Sequence, residues 1–336
     1  MVIPGTAGTQ AAAGNEAAGT GSKSGVLDGT LFGGDQPLVP ESGKLGRNLA
    51  IVRMYFTLGE QFPIPSATSI MQKGGTVLAS LDSPPGQGEG NYASIAAGQH
   101  DNQIKPFLEH MDQAAVQYHL GAVYFSFEHE ANTPPHQSLG SPAQFVQAWD
   151  HIHALAASAH LLWNDGGRVH FVLILTNSGY DSMSARATWQ DKQGEASSYF
   201  PGTNEVDIVA ADGYNTGGCR HVSHNVSAMA ANAATVSPET LFDPLVSFAH
   251  SHGNMPVFVA EWASVTYAGT TKQATFIAQM RAFVAANREV AAVMYWNSWN
   301  PQHPGCQMSI NNSPTSVATL AAMGHSSLLQ GRLISS

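Results

Sequence analysis

The chain has 336 residues, is 43% hydrophobic and only 11% charged, and carries a formal net charge of -10 with a pI near 5.8. Its 14 Lys and Arg residues are scattered, which argues against nucleic acid or an anionic lipid surface as partner, since both need a concentrated basic patch. No apolar run is long enough for a transmembrane helix, and a polar but weakly charged surface suits a neutral substrate such as a sugar polymer.

Residues 1–26 are rich in Ala, Gly, Ser and Thr and read as a flexible linker or tail ahead of one domain spanning 27–336. The start, Met1-Val2-Ile3-Pro4, lacks the charged and apolar regions of a signal peptide. A linker of this kind still suggests a module of a longer, extracellular protein. Eight short apolar runs follow, near 27–33, 48–56, 74–82, 121–130, 169–177, 206–214, 256–261 and 291–297. Near-continuous apolar runs are what strands buried on both faces look like.

Helix-period segments lie between them. Asp101 to His119 places Ile104, Phe107, Leu108, Met111 and Ala115 on one face. Ser141-Pro142 supplies an N-cap and a first-turn proline for a stripe of Phe145, Ala148, Trp149, Ile152 and Leu155. Ser237-Pro238 opens a third helix, with Leu241, Leu245 and Phe248. Lys272 to Asn287 carries Phe276, Ile277, Met280 and Phe283. This alternation predicts a single-domain (β/α)8 TIM barrel. The alternative, a doubly wound sheet, usually has a glycine-rich phosphate loop, and Gly33-Gly34-Asp35 is too short for one.

The fourth run ends in Glu128-His129-Glu130 and the seventh in Glu261-Trp262. In a parallel barrel the C-terminal strand ends share one face, where active sites are built. Two carboxylates facing one substrate are the machinery of glycoside hydrolysis, roughly 5–5.5 Å apart in retaining enzymes. Glu128 is the alternative to Glu130, and the bend at Asn132–Pro134 favours Glu130 at the rim. No CxxC or HExxH spacing occurs, so no metal or other cofactor is implied. Cys219 and Cys306 fall in loops after the sixth and eighth runs, where either a disulfide or two free thiols would fit.

The pattern His129-Glu130-Ala131-Asn132 resembles the His-Glu-Met-Asn motif of glycoside hydrolase family 26. Gly98-Gln99-His100-Asp101, the helix from Phe145 to His153, Tyr199-Phe200-Pro201-Gly202, Asp212-Gly213-Tyr214-Asn215, Ala260-Glu261 and Val293-Met294-Tyr295-Trp296 are similar to further motifs of that family, in the same order. The resemblance implies a retaining enzyme with Glu130 as acid/base and Glu261 as nucleophile. It also implies that Tyr214 hydrogen-bonds the nucleophile, that His129 and Asn132 line the cleft, and that Trp296 is an aromatic floor. His100 and Trp262 are further candidates for the cleft wall.

The implied substrate is a β-linked polysaccharide, β-1,4-mannan first, with β-1,3-xylan and mixed-linkage β-glucan as alternatives. A non-catalytic carbohydrate-binding barrel and a metal-dependent hydrolase are the alternatives from other classes. A monomer is expected. The sequence also departs from the family. Ser126 stands where an arginine is common, Ala131 replaces methionine, and Thr133-Pro134-Pro135-His136 stands where a tryptophan is usual. Arg53, on the second run, could supply the missing cation.

Overall fold

The computed structural model describes residues 27–28, 30–83, 91–181, 195–219, 228–298 and 307–333. The tail 1–26 and Cys306 lie outside the described residues. Ten strands are present among them: β1 (Leu27–Asp28), β2 (Leu31–Asp35), β3 (Ile51–Thr57), β4 (Thr76–Asp82), β5 (Val123–Phe127), β6 (Val169–Thr176), β7 (Ile208–Asn215), β8 (Val257–Ser264), β9 (Val290–Tyr295) and β10 (Arg332–Leu333). Strands β2 to β9 close in sequence order into a barrel whose neighbours are all parallel. This is the expected (β/α)8 barrel.

The first apolar run behaves differently from expectation, because it divides in two. Leu27–Asp28 pairs antiparallel with Arg332–Leu333, and the barrel begins only at Leu31. Thr30 makes the break. Its hydroxyl donates to Val290 O (2.8 Å) and its carbonyl accepts from Gly331 N–H (3.0 Å).

Alternation along the strands builds two separate cores. Leu31, Ile51, Leu78, Tyr124, Val172, Ile174, Ile208, Phe258 and Met294 fill the barrel interior. Val52, Met54, Val77, Ala79, Phe125, Leu173 and Val209 point outward against the helices. The helices supply the facing apolar stripes: Asp101–Gln117 buries Ile104, Phe107, Leu108 and Met111, and Pro142–Ser158 buries Phe145, Ala148, Trp149 and Ile152. The second of these opens with a capping box between Ser141 and Gln144.

The period of two also decides what tops the barrel. Ile51 points inward on β3, so Arg53 and Tyr55 follow it inward. Leu78 does the same for Ser80 and Asp82 on β4, and Ala210 for Asp212 and Tyr214 on β7. Strand β8 would break the pattern, since Phe258 and Ala260 already point inward. A bulge corrects it. Ala211 pairs with Val259, but Asp212 pairs with Glu261, which inserts one extra residue into β8. Glu261 is thereby turned to the interior and Trp262 to the outside.

Candidate active site

Glu261 sits at the centre of a buried cluster at the C-terminal end of the barrel. Its Oε1 accepts from the Tyr55 hydroxyl and lies 3.0 Å from Arg53 Nη1, while its Oε2 accepts from the Tyr214 hydroxyl. The same Nη1 lies 2.6 Å from Asp212 Oδ1. Arg53, Asp212 and Glu261 are all essentially closed to solvent. Burial raises the Glu261 carboxyl above the ordinary glutamate range, Arg53 pulls it back down, and Asp212 adds to the rise. Arg53 remains charged, because the two carboxylates outweigh its own burial. The guanidinium and both phenols favour the ionised form of Glu261, the form a nucleophile needs.

The opposite wall comes from the end of β5. The regular strand stops at Phe127, and Glu128 and Glu130 both take left-handed backbone, with φ of 48° and 55°. Such values are uncommon for residues other than glycine and concentrate at functional sites. They split two carboxyls that regular pairing would leave on one face. Glu128 is buried, and its Oε1 accepts the Ser83 N–H. Burial, reinforced by Asp82, pushes the Glu128 carboxyl up to about 7. Glu130 stays half-buried, with its own N–H on Ile174 O of β6 (2.9 Å).

Between them, His129 Nδ1 lies 2.9 Å from Asp82 Oδ1, with about a fifth of the side chain exposed. Burial works against a charged imidazole here, but Asp82 outweighs it and lifts His129 to about 9. The His129 ring packs 5.3 Å from Tyr55, and Trp296 meets the same tyrosine edge-on at 5.9 Å. Trp296 is half-buried and rigidly mounted. Its N–H donates to Trp262 O (3.0 Å), and the next N–H, of Asn297, donates to Asp35 Oδ2 (2.9 Å).

The structure therefore brings together Glu261, Tyr214, His129 and Trp296, with Glu130 on the same strand end as His129. Three other candidates sit elsewhere. Trp262 is fully buried and packs on Tyr295 (5.0 Å) and Phe276 (6.3 Å), because the bulge in β8 turns it to the helical layer. Asn132 is also fully buried rather than on the cleft wall. Its Nδ2 donates to Thr176 Oγ1 (2.8 Å) and its Oδ1 accepts from Thr176 N (3.1 Å), which ties the β5 loop to the end of β6. His100 lies 3.0 Å from Ser94 Oγ, outside the hydrogen-bonded cluster. Cys219 is buried, and the Cys219–Cys306 pairing falls on a residue outside the described ones.

Tyr55, Asp82 and Asp212 are missing from the sequence-based candidates, and Arg53 appears there only as a reserve cation. One signal was present: Arg53 and Tyr55 alternate at the end of a strand whose preceding inward residue is apolar. Groups of three or more His, Cys, Asp or Glu that could hold a metal do not occur among the described residues.

No protein-family model matches the sequence, and no curated protein matches it. Solved structures do. The chain is similar to a GH26 β-mannanase from Bacteroides ovatus, BoMan26A, with a TM-score of 0.56 and 11% identity over 89% of this chain and 89% of that one. It is similar also to GH26A from Muricauda sp. MAR_2010_75, with a TM-score of 0.51 and 15% identity over 85% of this chain and 90% of that one. At these identities the likeness is one of fold: a (β/α)8 barrel like that of family 26 glycoside hydrolases, in agreement with the resemblance of the motifs. No helix among the described residues is long and apolar enough to cross a membrane.

Proposed function

We propose that this protein is a retaining, endo-acting glycoside hydrolase of β-linked polysaccharide, with β-1,4-mannan as its first-choice substrate. The observation that carries the reading is the Glu261 carboxylate, set by a bulge at the mouth of the barrel and held by Arg53, Tyr55 and Tyr214 beside Trp296. Nothing about a packing role requires a buried carboxylate at the strand ends with three such partners. Glu261 attacks the anomeric carbon while Glu130 gives its proton to the departing glycosidic oxygen. Glu130 then takes a proton from water, which displaces the enzyme from the sugar with retained configuration.

Trp296 offers an aromatic face to the C–H side of the ring, and the His129 imidazolium offers a hydrogen-bond donor to a hydroxyl. The similarity in fold to a β-mannanase favours mannan among the alternatives. Pairing of Cys219 with Cys306 on the rim, and an extracellular place of work, belong to the same proposal.

The test is release of reducing sugar from mannan, glucomannan, β-1,3-xylan and lichenan, with the product anomer followed by proton NMR. The reading predicts one strongly preferred polymer and retention. An inverted product, or no hydrolysis of any of them alongside tight binding, would replace it with an inverting enzyme or a binding barrel.

A further inference from the structure

The two oxygens of Glu261 are not equivalent. A carboxylate oxygen has two in-plane lone pairs to offer. Oε1 accepts the Tyr55 hydroxyl and also lies 3.0 Å from the cationic Arg53 Nη1, an ion pair on top of the hydrogen bond. Oε2 accepts only from Tyr214 among the described residues. Arg53 cannot move aside, since it is fully buried and pinned at 2.6 Å by Asp212. Tyr55 is fixed as well. It sits over the Arg53 guanidinium at 5.1 Å, against His129 at 5.3 Å and against Trp296 at 5.9 Å.

We propose that Tyr55 is a positioning residue that, with Arg53, reserves Oε1 as the spectator and leaves Oε2 to attack, so that Oε1 becomes the carbonyl oxygen of the glycosyl ester. The inference rests on the retaining reading above. In the first step an Oε2 lone pair forms the bond to the anomeric carbon, and the bond to the leaving oxygen breaks. That oxygen takes the proton of Glu130 and departs as an alcohol. In the second step water bonds to the anomeric carbon and gives a proton to Glu130, and the C–Oε2 pair returns to Glu261. The returning charge is shared with Oε1, where Tyr55 and Arg53 already wait. The Tyr55 hydrogen bond and the Arg53 charge both interact more strongly with the carboxylate than with the ester carbonyl. Tyr55 therefore favours departure of the carboxylate more than its attack.

Two experiments test this. The first traps the wild type with a 2-deoxy-2-fluoro glycosyl fluoride of the sugar it hydrolyses and solves the crystal structure. The expected result is a sugar on Oε2 with Tyr55 and Arg53 still on Oε1. A sugar on Oε1, or Tyr55 swung away, overturns the proposal. A wild type that takes no label at Glu261 sinks the retaining reading along with it. The second compares Tyr55→Phe with wild type on a 2,4-dinitrophenyl glycoside of the same sugar. Turnover should fall roughly 10- to 100-fold. KM should fall too, and a burst of dinitrophenolate should show the glycosyl-enzyme accumulating. Loss of both steps alike, with no burst and KM unchanged or raised, would mean that Tyr55 is only structural.

Discussion

The ends of β5 and β8 each carry one of the two proposed catalytic glutamates, and they do so by opposite means. Strand β8 continues through its bulge and gains a residue. The bulge drives Glu261 into a closed pocket where a guanidinium and two phenols meet it. Strand β5 instead stops, and two left-handed residues follow it, with Glu128 buried on the Ser83 N–H and Glu130 half-buried. The first arrangement suits a group that must hold one charge state and one direction. The second suits a group that must exchange protons with leaving group and water. The roles proposed for the two carboxyls thus match how their strands end.

The widest separation between the two ends should appear in kinetics. Glu261→Ala removes the covalent route and should cost on the order of 10⁵-fold or more on every substrate. Glu130→Ala should cost roughly 10²–10⁴-fold on polymer but far less on dinitrophenyl glycosides, whose leaving groups need little protonation. Equal, mild losses on both substrates would end the role assignment.

Arg53→Met sharpens the contrast in stability. It strands Asp212 and Glu261 as buried neighbouring carboxylates and should destabilise the fold by about 3–5 kcal/mol in urea unfolding. The same measurement on Glu130→Gln, at the rim, should show a change within about 0.5 kcal/mol. A small loss in Arg53→Met would mean that the two acids are already protonated and need no cation.

The bulge itself can be tested through the two tryptophans that flank it. Trp262→Ala opens a hole in the helical layer and should cost about 3–5 kcal/mol of stability with KM little changed. Trp296→Ala should instead raise KM and cost less stability. A KM effect from Trp262→Ala equal to that of Trp296→Ala would place both rings on the substrate.

The smallest effect concerns pH. Glu128 has a folded-state pKa of about 7 against an ordinary value of 4.5. Below 4.5 both states hold the proton and its contribution is full; as pH rises towards 7 the unfolded chain ionises first and stability falls. At about 1.4 kcal/mol per unit the loss reaches about 3 kcal/mol. Asp35, also raised to about 7, acts in the same direction in wild type and variant alike. The difference between wild type and Glu128→Gln therefore isolates Glu128. Its stability should gain on wild type by that amount between pH 4 and pH 8. Parallel curves would show that Glu128 ionises normally.

Most of the barrel is legible in the sequence because burial on both faces writes each strand as an apolar run, and two of the helices between carry marked serine caps, at Ser141 and Ser237. The exception at 27–33 arose because hydrophobicity reports burial but not partner, and Leu27 is claimed by Leu333 instead of the barrel. In the site, the Tyr214–Glu261 hydrogen bond implied by the motifs is present. Trp262 was misplaced because a one-residue bulge inverts the facing of everything after it, and a bulge without a glycine leaves no mark in one sequence. Asn132 was misplaced for a different reason. A buried amide satisfied by Thr176 and an exposed amide waiting for a sugar look alike until their partners are seen. Tyr55 went unnoticed because its contact exists only across the barrel, with Glu261 on a strand more than two hundred residues later.

The small pairing of β1 with β10 has a consequence for how the molecule can be joined to others. Thr30 and Gly331 bond to each other, and Thr30 also bonds to Val290, the first residue of β9. Both flanks of the barrel are therefore clasped together beneath it, at the strand starts, while Glu130, Glu261 and Trp296 open from the strand finishes. Anything joined ahead of Leu27 or behind Leu333 attaches at the floor of the barrel, on the side away from Glu261.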